Sequence, residues 1–64
     1  MLIAQSKQTR LYVKSLNSHK LPAKRVKFTA RALQACEFAS FAEFAYLLGA
    51  VAPNLDAQNF ELRA

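Results

Sequence analysis

One glycine, one cysteine, one histidine and no tryptophan occur in these 64 residues, and each scarcity removes a class of chemistry. With Gly49 the only glycine, there is no glycine-rich loop to cradle a phosphate. Cys36 has no second cysteine, so an internal disulfide is excluded. His19 is remote from it in sequence, which provides neither a zinc ligand set nor a Cys–His nucleophile. Cys36 reads as a buried thiol of a reducing compartment. Acids are few and poorly spaced for catalysis. Glu37 and Glu43, six residues apart, fall about 120° out of alignment on a helix and cannot form a paired carboxylate site there. These gaps point to a protein that is not an enzyme and has no metal or cofactor.

Long apolar runs are missing as well. Met1-Leu2-Ile3-Ala4 gives way to Gln5-Ser6-Lys7, which is not the apolar core of a signal peptide. The stretch from Ala32 to Ala52 is apolar but carries Gln34, Glu37, Ser40 and Glu43. Two acids near the middle of a span, which takes about 20 mostly apolar residues, are costly in hydrocarbon. The expectation is a cytoplasmic protein with no membrane segment. The initial Met1, with no tag or linker in sight, reads as a complete small protein forming one domain over residues 1–64.

The most informative absence is of acids in the first half. Lys7, Arg10, Lys14, Lys20, Lys24, Arg25, Lys27 and Arg31 precede residue 32 with no carboxylate among them. Glu37, Glu43, Asp56 and Glu61 follow, against Arg63 alone. A net charge of +5 concentrated in this way is a statement about partners rather than fold. Hydrophobic residues reach 53%, above the ~45–50% usual for soluble domains. In so short a chain, surplus apolar surface favours association, so a homodimer or a subunit of a complex is expected.

Two segments of the first half alternate with period two. In Thr9–Leu16, Leu11 and Val13 point one way and Arg10, Tyr12 and Lys14 the other. In Arg25–Ala32, Val26, Phe28, Ala30 and Ala32 oppose Arg25, Lys27, Thr29 and Arg31. This is the pattern of half-buried strands, and the two are expected to be antiparallel neighbours. Asn17–Lys24, with Asn, Ser and Pro, marks the connection.

Ser40-Phe41-Ala42-Glu43 fits a capping box that opens a helix, although alanine-rich sequence also allows a start near Leu33. Gly49 and Pro53 supply a stop. On such a helix Leu33, Phe41, Phe44, Leu48 and Val51 form one stripe, suited to covering the sheet. Ala35, Phe38, Ala42, Ala45 and Tyr46 take the other side. Alternating Phe60 and Leu62 mark a short third strand. The expected fold is α+β: a two- or three-stranded antiparallel sheet with one helix packed on it, in the order β-β-α-β.

Two surfaces emerge as candidate sites. Arg10, Tyr12, Lys14, Arg25, Lys27 and Arg31 would make one outward sheet face, extended by Lys20, Lys24 and His19 from the connection. Cations gathered there suit phosphates, and Tyr12 can stack on an unpaired base. On the helix, Phe38, Ala42, Ala45 and Tyr46 offer an interface to a second protein or a symmetry mate. The expected function is a non-catalytic nucleic-acid-binding or regulatory protein. The alternative is a small inhibitor or adaptor, of the phage or mobile-element type, docking on an acidic protein surface, because such a patch asks for the same cations.

Ser40-Phe41-Ala42-Glu43-Phe44-Ala45-Tyr46-Leu47-Leu48-Gly49 also resembles the second helix and turn of repressor-type helix-turn-helix proteins. That resemblance implies a further helix after Gly49 that reads the major groove. The stretch from Ala50 to Glu61 departs from the pattern, with Asp56 and Glu61 and no basic residue. No family assignment is therefore carried forward.

Overall fold

A computed structural model describes residues 1–17 and 25–64. Five strands and one α-helix run in the order β1 (Leu2–Ser6), β2 (Tyr12–Leu16), β3 (Val26–Thr29), β4 (Glu37–Phe38), α1 (Phe41–Val51) and β5 (Phe60–Arg63). Short 3₁₀ turns at Ala32–Gln34 and Ala57–Asn59 precede β4 and β5. The architecture is α+β, with one helix on an antiparallel five-stranded sheet. The expected β-β-α-β order is corrected: β1 and β4 are strands that the alternation pattern does not reveal.

β1 is the hub. Gln5 pairs with both Tyr12 and Glu61, and Ile3 with both Glu37 and Arg63. A strand residue has one neighbour on each side, so β5 occupies one edge of β1, while β2 and β4 share the other. The Cys36 N–H donates to the Val13 carbonyl at 3.0 Å, which binds the approach to β4 against β2. Ala4, Gln5 and Ser6 are consequently all buried, and no polar–apolar alternation survives in β1.

β2 and β3 are antiparallel neighbours, as expected. Both are shorter than the alternation implies. Thr9 and Arg10 belong to the β1–β2 turn, and β3 ends at Thr29, with Arg31 at the N-cap of the first 3₁₀ turn. The register slips by one residue between Val13 and Ser15, a bulge at Lys14. A bulge sets two successive residues against one on the partner strand. Lys14 and Ser15 thus follow one another on the outer side, and Leu16 returns to the inner face opposite Val26. The apolar spacing Leu11, Val13, Leu16 records that slip.

The inner face carries Ala4, Val13, Phe38 and Phe60, and α1 covers it with Phe44 and Leu48. Phe44 meets Phe38 and Phe60 edge-on, with ring centroids 5.0 and 5.4 Å apart, the geometry preferred by aromatic quadrupoles. Phe44, Leu48 and Val51 form the buried stripe of the helix at spacings of four and three.

The helix begins at Phe41 rather than near Leu33. Ser40 Oγ accepts from the Glu43 N–H at 3.2 Å, as the capping box requires. The Glu43 carboxylate reaches back one residue further than expected, accepting from the Ala39 N–H at 3.0 Å. Gly49 does not cap the helix. It lies within α1, Ala52 is the C-cap, and Pro53 follows. Leu33 is in a 3₁₀ turn and Phe38 in β4, so neither belongs to a helix face. No second helix follows Gly49, and the segment from Val26 that should supply the preceding helix is a strand. The helix-turn-helix resemblance is thereby overturned. No helix among the described residues is long and apolar enough to cross a membrane.

Candidate functional site

The outer face of the sheet divides by charge. Its β2–β3 half carries Tyr12 opposite Thr29 and Ser15 opposite Lys27, with Lys14 exposed at the bulge. Neither strand contains an acid. Its other half, on β1, β4 and β5, holds Glu37, Glu61 and Arg63 beside Ile3 and Gln5. The remaining acids sit elsewhere: Glu43 in the first turn of α1 and Asp56 capping the second 3₁₀ turn.

The structure therefore brings together Tyr12, Lys14 and Lys27 from the expected basic face. Arg25 immediately precedes β3, where its carbonyl accepts from the Asn17 N–H at 2.7 Å. Arg31 is exposed beyond the end of β3, where its N–H donates to Thr29 Oγ1 at 3.1 Å. Arg10 leaves the expected row. It lies in the β1–β2 turn with a φ of 65°, and its guanidinium is 3.8 Å from Glu61. The face expected to be free of acids thus has one carboxylate at its border. Lys20, Lys24 and His19 lie outside the described residues.

Of the expected helix interface, Ala42 and Tyr46 are exposed and Ala45 is half-buried, with Tyr46 77% exposed. Phe38 is corrected: it is 1% exposed and packs in the core between the sheet and α1. Its assignment to a helix face assumed a helix through residue 38, and β4 turns the ring inward instead. Leu33, expected on the helix stripe against the sheet, is instead fully exposed on its 3₁₀ turn.

One concave feature escaped the sequence reading. A cavity of about 200 Å³ lies where Leu11 and Phe28 meet Leu55 and Phe60. Its walls come from three separate stretches of the chain, around residues 6–11, 28 and 55–60, so no local pattern announces it. Among the described residues no group of three or more His, Cys, Asp or Glu side chains could hold a metal ion. Compared with known proteins, the chain matches no family model, no curated protein and no solved structure.

Proposed function

We propose that this chain is a non-catalytic binding protein that takes single-stranded nucleic acid on the outer β2–β3 face. One observation carries the reading: Tyr12 shares that face with Lys27 and exposed Lys14, and neither strand has a carboxylate. Like charges on a sheet repel, and an arriving phosphate backbone relieves that repulsion while releasing counterions. A single strand suits this geometry better than a duplex. A flat face with an aromatic side chain stacks unpaired bases, whereas major-groove reading is commonly done by a helix, and α1 contains no lysine or arginine.

A binding titration against short single- and double-stranded oligonucleotides at several salt concentrations tests this. Three phosphate contacts give a slope of about −2 in log affinity against log salt for a single strand. Absence of binding at low salt overturns the reading. The adaptor reading, in which the basic face docks on an acidic protein, then takes its place. It draws support from Tyr46, an exposed aromatic side chain of the kind that anchors protein interfaces.

A further inference from the structure

The cavity lies on the inner side of the same two strands. Leu11, Phe28, Leu55 and Phe60 supply apolar walls, with Asp56 and Asn59 among its polar lining. The Lys7 N–H donates to the Asn59 carbonyl at 2.8 Å, tying the β1–β2 loop to the 3₁₀ turn across from it. At about 200 Å³ the space falls below the roughly 300–1,000 Å³ of sites that enclose a drug-sized ligand. It has room for one ring system.

Three features define what that group is. The Phe28 and Phe60 rings are parallel to within 5°, with centroids 6.4 Å apart, and Phe28 remains 40% exposed. A planar ring can lie against them where a branched aliphatic side chain gains less. The loop that lines it is basic in sequence: Gln8 and Thr9 line the cavity, and Lys7 and Arg10 stand on either side of them in the chain. Arg10 is held in the left-handed region, where glycine or asparagine costs less, and such strain collects at binding sites. Finally, the polar lining can read an edge. Asp56 Oδ1 accepts from the Gln58 N–H at 2.9 Å, and a carboxylate retains further acceptor capacity. No hydrogen bond engages the Asn59 side chain among the described residues.

We propose that the cavity receives one unpaired nucleobase, of a kind carrying an exocyclic amine, from a strand bound on the outer face. The proposal rests on the nucleic-acid reading above and deepens it. Leu11 adjoins Tyr12, and Phe28 adjoins Lys27, so cavity and basic face occupy the two sides of one strand pair. A strand stacked on Tyr12 passes the loop bearing Lys7 and Arg10 to reach the cavity. The Asp56 carboxylate favours adenine, cytosine or guanine, whose amines donate, over thymine or uracil, which have none.

The test is an NMR titration of the labelled full chain with five-nucleotide single-stranded DNAs of adenine and of thymine, alongside affinity measurements. Expected are nuclear Overhauser contacts from adenine protons to Phe28 and Leu55, and tighter binding of adenine than thymine. Phe28→Ala should weaken adenine binding about tenfold, the effect of losing one stacking ring, with the salt slope unchanged. Should that variant fail to fold, Asn59→Ala, an exposed change, should still weaken it and narrow the base preference. Contacts confined to Tyr12, with both variants binding as the parent does, overturn the cavity site while leaving the outer-face reading intact. No binding of either DNA overturns both.

Discussion

Gln5 Nε2 donates a 2.9 Å hydrogen bond to the carbonyl oxygen of Arg10, the one non-glycine residue with positive φ among the described residues. The bond explains how a costly backbone conformation is held without glycine. Gln5 is only 6% exposed, and its side-chain Oε1 accepts from Arg63 Nη1 at 3.5 Å. A buried amide on the central strand thus supports both the loop and the end of β5. Ser6 adds to this, its Oγ accepting from the N–H groups of Gln8 and Thr9 at 3.3 Å each.

Gln5→Ala should therefore cost about 1–2 kcal/mol, a lost hydrogen bond at a partly buried site together with a loosened turn. For a domain of this size that is a fall of roughly 5–15 °C in Tm. Amide exchange should quicken first in residues 7–10. An unchanged melting temperature would show that the turn holds itself.

Gly49 yields the opposite sign. It sits within α1, its φ is not positive, and a Cβ built on it meets nothing within 4 Å. Glycine inside a helix costs roughly 0.5–1 kcal/mol relative to alanine, through the freedom it loses on folding. Gly49→Ala should stabilise the fold by about that amount, read as a rise in the urea midpoint with an unchanged slope. A decrease would mean that the glycine serves a contact outside this chain.

Phe38 and Tyr46 separate core from surface. Phe38→Ala empties a site between the sheet and α1, and removing a buried phenylalanine costs about 3–5 kcal/mol. That is a large part of the stability of a small domain, so circular dichroism should report a chain unfolded or close to it at room temperature. Tyr46→Ala, at a mostly exposed position, should change stability by less than about 0.5 kcal/mol. Similar losses for both variants would contradict the placement of Phe38.

These residues also show how far the sequence can be read. The β2–β3 pair and β5 were legible because one face of each is wet, which leaves an alternating pattern. The start of α1 was legible from Ser40 and Glu43, whose side chains close its first turn. β1 was not, because Gln5, hemmed in on the outer face between β2 and β5, is nearly as buried as Ala4 in the core and Ser6 beyond it. Two residues of β4 carry no period at all, and Phe38 was assigned to the helix that follows it. The charge pattern located Tyr12, Lys14 and Lys27. It could not foresee that the hub strand brings Glu61 to Arg10, 51 positions away, or that the cavity joins Phe28 to Phe60.

That Arg10–Glu61 contact supports a prediction with two opposite signs. Both side chains are about half exposed, 58% and 46%, and 3.8 Å apart, so the pair contributes at most about 1 kcal/mol to stability. Glu61→Gln should leave the fold intact, release the Arg10 guanidinium and raise the net charge by one. Affinity for a single strand should then rise a few-fold at low salt, and the salt slope should steepen by up to about 0.7, the value of one added phosphate contact. Lys14→Glu with Lys27→Glu should do the reverse, abolishing measurable binding while the circular dichroism spectrum is retained. Surface screening requires both effects to shrink as salt approaches 1 M, where the Debye length is about 3 Å. If the two variants shift affinity in the same direction, or if neither responds to salt, the strand is not held by the charge of this face.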